Sequence, residues 1–226
     1  MTAAARSEVR QELVSRIPTG YSPWLHLAVP TLVGLAAIAG SLALLRAVKP
    51  WQLALVPVFL VAGNAIEWHA HRGLLHRHTR FAGRLYQAHA QHHRVFASED
   101  MAMRDRRELR LVLLPWEAYQ IILGVALPIT FGLAAAGQPN LGALWVASAA
   151  AYVLAYEWTH LVYHLPLGKV ARRVPLLAAL RHHHAMHHAP QLQRYNLNVT
   201  VALWDLVRGT LWQPARRALD TRARVG

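Results

Sequence analysis

The chain has 226 residues, 54% of them hydrophobic and 15% charged, whereas an ordinary soluble domain is about a quarter charged. It contains no cysteine, which excludes a disulfide scaffold, a thiolate zinc site, a cysteine-ligated iron–sulfur cluster and a cysteine nucleophile. Two features call for explanation: a formal net charge of +13, and 15 histidines against 11 acidic residues in a largely apolar protein.

The first apolar run begins only at residue 24, is too long for a secretory leader and has no small-residue cleavage site behind it. Residues 1–20 ahead of it read as a short amphipathic helix on a membrane surface. Residues 25–45 then give a helix of about 32 Å, enough to cross a hydrocarbon core. Residues 50–66 form a second run, continued by Glu67, Trp68 and His69; residues 111–137 form a third, broken only by Glu117. The fourth, residues 141–165, carries Glu157 and His160. Pro30, Pro57, Pro115 and Pro128 lie inside these runs, where neighbouring helices can re-satisfy the backbone. The pattern predicts an all-α integral membrane protein with four transmembrane helices.

Lysine and arginine sort by loop. Three precede the first span, two lie between the first and second, nine fall in residues 72–110, none in the turn AAAGQPN, and ten follow residue 165. The positive-inside rule therefore sets both termini and the 72–110 segment on the cytoplasmic side, in what the Ala- and Arg-rich composition suggests is a bacterial inner membrane. The charge is chiefly a topology signal, with attraction to anionic headgroups as a secondary role. No aromatic-basic interleaving supports nucleic-acid binding. The expected organisation is a cytoplasmic arm (1–23), a membrane catalytic domain (24–212) and a basic tail (213–226).

Ten histidines fall into four clusters: His71 and His76; His89, His92 and His93; His160 and His164; His184, His187 and His188. Helix positions three and four apart share a face, so the last three clusters can each aim imidazoles at one point. His71 and His76 cannot: five residues turn about 500°, leaving the pair roughly 140° apart, so a helix end, kink or π-bulge is expected there. Ten imidazoles are too many for one metal and suit two. An all-nitrogen shell with open positions fits an iron pair that handles dioxygen, a redox step that zinc cannot perform. His26, His69, His78, His182 and His183 fit no cluster and read as interfacial, supporting or solvated.

The order HxxxxH, HxxHH, HxxxH, HxxHH, with Glu67 before and Arg72 within the first box, resembles the fatty acid hydroxylase and sterol desaturase superfamily of membrane di-iron oxygenases. Downstream, Trp204, Asp205, Gly209 and Thr210 are similar to that family's WDxxFGT stretch. Two departures stand out: RHHHAMHH offers His182 and His183 as competitors for the register of His184, and Arg208 stands where the family usually has an aromatic residue. The resemblance covers roughly residues 60–212 and implies four transmembrane helices beneath a cytosolic helical cap that holds a dimetal site. Carried over residue by residue, it implies the ligands His71, His76, His89, His92, His93, His160, His164, His184, His187 and His188, holding two iron ions for which zinc can substitute in purified protein.

Glu67 and Glu157 share helical faces with these histidines and are candidates to fix an imidazole's tautomer, with pairing to a cap arginine as the alternative; Asp205 is a candidate partner for an arginine or histidine of the cap. The expected chemistry is O2-dependent hydroxylation or desaturation of a membrane lipid C–H bond, the substrate being fatty acyl, sterol-like or carotenoid. Electrons are expected from a separate ferredoxin or small cytochrome, docked by the cap's basic residues. The competing reading is a non-enzymatic membrane protein that binds or transports metal or haem, which would need ligands near the bilayer midplane. A metalloprotease would need HExxH, which is absent.

Overall fold

The computed structural model describes residues 2–168 and 173–212. Among the described residues regular structure is helical, apart from one isolated antiparallel bridge between Ala97 and Asp100. The helices are α1 (Ala3–Ser15), α2 (Pro23–Ala43), α3 (Pro50–Leu53), α4 (Val56–Ala70), α5 (Gly83–Val95), α6 (Leu109–Val112), α7 (Trp116–Ala135), α8 (Pro139–His164), α9 (Pro175–His187) and α10 (Leu203–Arg208). Residues 213–226, read as a basic tail, lie outside the described residues.

Local chemistry sets the starts. Ser22 caps α2 by accepting from Leu25 N–H at 3.3 Å, with Pro23 in the first turn, where its missing N–H costs nothing. Pro115 ends the preceding segment and opens α7. Directly after α4, His71–Leu75 form a π-helical turn that closes with His76 N–H donating to His71 C=O at 3.1 Å. This is the irregularity that the five-residue histidine spacing required: the wider turn brings His71 and His76 to one side, their rings stacked 5.1 Å apart.

Helices α2, α4 and α7 pack around α8. Three helical stretches are long and apolar enough to cross a membrane: Pro23–Ala43, Pro50–Leu75 and Trp116–Ala135. Their outward faces carry large apolar side chains, Leu32 being 64% exposed and Phe131 68%, an arrangement that suits lipid and not water. Helix α8 is also long enough, at 26 residues or about 39 Å, but is less apolar, carrying Glu157, His160 and His164. Its central position accounts for this, since much of its surface meets protein. Small residues allow the close packing: a Cβ on Gly34 would lie 2.8 Å from the Leu154 side chain, and one on Gly63 would lie 2.9 Å from Tyr152.

The third span is shorter than its sequence run. It starts at Trp116, not 111, because Leu111, Val112 and Leu113 are buried with Val95, Phe96, Leu109 and Leu161 in a separate apolar core at one end of the bundle. Apolar residues buried in protein and in lipid look the same in sequence. At the opposite end, the turn after α2 is tied to the first turn of α8 by Arg46 N–H donating to Asn140 Oδ1 at 3.0 Å.

Helices α1, α5 and α6 build that core together with Leu161 of α8, and with α9 and α10 they are termed the cap. Helix α1, expected on a membrane surface, packs on α5. Its buried Arg10 donates to the carbonyls of Val95 (3.3 Å) and Ala102 (3.2 Å), and its guanidinium lies 3.7 Å from Glu108.

Candidate metal centre

The ten clustered histidines converge where the cap meets the ends of α4 and α8. They form two groups of five: His71, His76, His89, His93 and His187 in one, and His92, His160, His164, His184 and His188 in the other, with ligand atoms in each group all within 4.8 Å of one another. His26, His69, His78, His182 and His183 lie in neither group. His26 instead bridges Tyr21 OH (2.9 Å) and the Leu114 carbonyl (3.1 Å). In RHHHAMHH the register falls on His184; His183 Nε2 faces the Asn198 carbonyl at 3.1 Å.

Backbone carbonyls decide the tautomers. Nδ1 of His71 hydrogen-bonds to the Leu197 carbonyl, and that of His187 to Tyr195 at 2.8 Å. In the second group, Nδ1 of His92 faces Leu111 (2.9 Å), His164 faces Met101 (2.8 Å) and His188 faces Phe96 (2.7 Å). A carbonyl oxygen only accepts, so Nδ1 carries the proton and Nε2 keeps its lone pair. Those Nε2 atoms point inward: His71 lies 3.0 Å from His89, His76 3.1 Å from His187, His92 3.1 Å from His188, and His164 3.3 Å from His184.

Converging lone pairs need a cation. Two nitrogens at right angles around an ion with metal–nitrogen bonds of about 2.1 Å are about 3.0 Å apart, so each group matches the inner shell of one ion with a further position open. Burial, and after it the neighbouring imidazoles, hold His89, His92, His93, His184, His187 and His188 well below the usual histidine range. Burial pushes His76 down to about 4. These rings are therefore neutral at physiological pH, the state that binds a metal.

The acidic residues act at one remove, which corrects the expectation that Glu67 and Glu157 orient imidazoles directly or pair with a cap arginine. Glu67 accepts from Tyr152 OH, from Val199 N–H, and from Thr200 through both Oγ1 (2.7 Å) and N–H (3.3 Å). Glu157 accepts from Leu114 N–H at 2.9 Å. Asp205, fully buried, accepts from Leu197 N–H (3.0 Å), Asn198 N–H (2.8 Å) and Thr210 Oγ1 (2.6 Å), and lies 3.6 Å from Nε2 of His183. Asp205 thus fixes the peptide whose carbonyl orients His71.

Sequence reasoning missed the scaffold of this loop. Asn64 Nδ2 donates to the Val201 carbonyl at 2.8 Å while its Oδ1 accepts from Trp204 N–H at 2.9 Å, and Asn198 Nδ2 donates to the Asn64 carbonyl at 2.9 Å. A buried asparagine inside an apolar run was the available signal. Arg208 lies over the Trp68 ring at 5.2 Å.

A cavity of about 190 Å³ opens among α4, α7 and α8, lined by apolar side chains including Leu74, Ile122 and Val153, with His71 and Tyr156 in its wall.

Residues 56–210 match the sequence profile of the family described as fatty acid hydroxylase. The fold is similar to a solved structure described as full-length Scs7p with only the hydroxylase domain visible, at a TM-score of 0.59 and 18% identity over 85% of this chain and 67% of that one. No curated protein matches the sequence. The profile match takes in both histidine groups and well over half of the sequence, and the chain belongs to the fatty acid hydroxylase family.

Proposed function

We propose that this hydroxylase is a membrane-embedded di-iron enzyme that inserts oxygen from O2 into, or desaturates, a C–H bond of a lipid chain entering from the bilayer. The observation that carries this reading is that His71 belongs both to a group of five converging imidazoles and to the wall of an apolar cavity among α4, α7 and α8. In it, the ten histidines hold two iron ions, and a reduced iron pair supplies the activation of dioxygen that no side chain can provide. The protein's own part is to bind, orient and keep dry. Leu74, Ile122 and Val153 would hold a hydrocarbon chain and exclude water, and the buried Nδ1 hydrogen bonds would keep the imidazoles neutral and aimed.

In the same reading α8 is a fourth span, the cap and both termini face the cytoplasm of a bacterial inner membrane, and a separate one-electron carrier supplies the reductant. Transport of metal or haem is disfavoured, because a transporter needs ligands along the depth of the bilayer, whereas both groups sit at the capped end.

The test is metal analysis of detergent-purified protein, together with lipid mass profiles of cells expressing wild type or His187→Ala. About two irons per chain, and a wild-type-only product heavier by one oxygen atom or lighter by two hydrogens, is expected. No redox metal after anaerobic reconstitution, with identical lipid profiles, would overturn the reading.

A further inference from the structure

A second opening reaches the first histidine group from the side away from the apolar cavity. It is a cleft of about 560 Å³ lined by Arg72, Arg77 and Arg194 together with His76, Gln193 and Tyr195. The two openings share no lining residue: His71 borders the cavity, His76 borders the cleft, and their rings stack 5.1 Å apart. The histidine group therefore stands between an apolar chamber and a basic one.

Two of the three arginines lie on aromatic rings. Arg72 lies over the Trp68 ring at 5.0 Å and Arg194 over Tyr195 at 5.1 Å, which fixes their planes and leaves their N–H edges free. Among the described residues none of the three has a carboxylate partner, whereas Arg6, Arg10, Arg16, Arg84 and Arg104 all do. Three guanidiniums with no carboxylate partner among the described residues, set on one concave surface, focus a positive field and favour a partner with several carboxylates.

The geometry points to this cleft as the docking site of an acidic one-electron carrier protein, with electrons entering the centre through His76. The inference rests on the oxygenase reading, which sets the demand: R–H + O2 + 2 e− + 2 H+ gives R–OH + H2O, so two reduced carriers are oxidised per hydroxylation. A lipid headgroup in the cleft is the lesser alternative, because its chain would have to cross the histidine group to reach the cavity.

The probe is an acidic plant-type [2Fe–2S] ferredoxin, used with full-length protein in detergent. Wild type is compared with the triple variant Arg72→Gln, Arg77→Gln, Arg194→Gln and with Arg16→Gln, which removes an exposed charge on the far end of α1. Binding is measured by calorimetry with oxidised ferredoxin, and anaerobic reduction of the iron-loaded enzyme by stopped flow, both across a salt series. In wild type and Arg16→Gln, binding and reduction should weaken together as salt rises. The triple variant should lose about tenfold or more in both, and most of the salt dependence, while metal content and reduction by the methyl viologen radical cation stay unchanged. Equal ferredoxin binding by wild type and triple variant would overturn the proposal, as would a triple variant that loses only affinity for phosphatidylglycerol vesicles. Metal analysis separately reports failure of the oxygenase reading, since ferredoxin binding can be read without a redox metal.

Discussion

His93 and His188 lie nearly face to face, ring centroids 4.4 Å apart and planes 25° from parallel, although each belongs to a different histidine group. The two groups thus share a wall, and a change at either ring reaches both. His188→Ala should reduce bound metal to well under half of wild type and abolish turnover, because it removes one inward nitrogen and the ring against which His93 is packed. His182→Ala, whose exposed ring lies in neither group, should leave both unchanged. Metal analysis of the two variants decides: full metal content in the His188 variant would remove that residue from the ligand set.

Asp205 controls His71 through a peptide. Its carboxylate holds Leu197 N–H and Asn198 N–H, and the second of these shares its peptide with the Leu197 carbonyl that holds His71 Nδ1. Asp205→Ala strands two buried N–H groups, each worth about 1–3 kcal/mol, and should weaken metal binding about 10–100-fold through the misplaced imidazole. Glu67→Gln offers the contrast. Its partners are Tyr152, Val199 and Thr200, so it should lower the melting temperature while metal stoichiometry holds. Chelator competition and thermal melts distinguish the two, and equal metal affinity in wild type and the Asp205 variant would contradict the relay.

The histidine pattern was legible because helix periodicity is local: three- and four-residue spacings declare a shared face, and the five-residue spacing of His71 and His76 declared its own irregularity, met by the π-turn. The groups that orient the imidazoles were not legible. They are main-chain carbonyls of Phe96, Met101, Leu111, Tyr195 and Leu197, and any residue type carries a carbonyl. The spans were legible as apolar runs but not their limits, since the run at 111–115 is buried by the cap and the polar residues of α8 are sheltered by its neighbours.

Arg10 is a positioning residue for the second group. It grips the carbonyls of Val95 and Ala102, which bracket the segment whose Phe96 and Met101 carbonyls hold His188 and His164. Arg10→Met should cost about 3–5 kcal/mol, because it leaves the buried Glu108 without its cation. Adding Glu108→Gln should recover much of that stability without restoring metal affinity. Recovery of both together would reduce Arg10 to a purely structural role.

Acid should destabilise the metal-free protein. Unfolded imidazoles take up protons near pH 6.5, whereas the buried ones stay neutral well below that, His76 down to about 4. Between those values the unfolded state binds more protons, so stability is fully present above about pH 6.5 and is lost as the pH falls toward 4. Chelator-stripped protein should melt at a steady temperature above neutrality and at falling temperatures through this window. A flat profile down to about pH 5 would show that the histidines are not neutral and buried together.

The apolar cavity gives a test that leaves the metal alone. Ala149 lines it from α8, and Phe in its place would fill the space near Tyr152 and Val153 without touching either histidine group. Ala149→Phe should keep its metal content, at a packing cost of about 1–3 kcal/mol, and lose at least about tenfold in lipid oxidation, because the chain could no longer lie against His71. A smaller replacement, Ala149→Val, should shift the position oxidised along the chain before it lowers the rate. If the Phe variant oxidises lipid as fast as wild type and at the same carbon, the chain reaches the histidines by another path, and the cavity is only a packing defect between α4, α7 and α8.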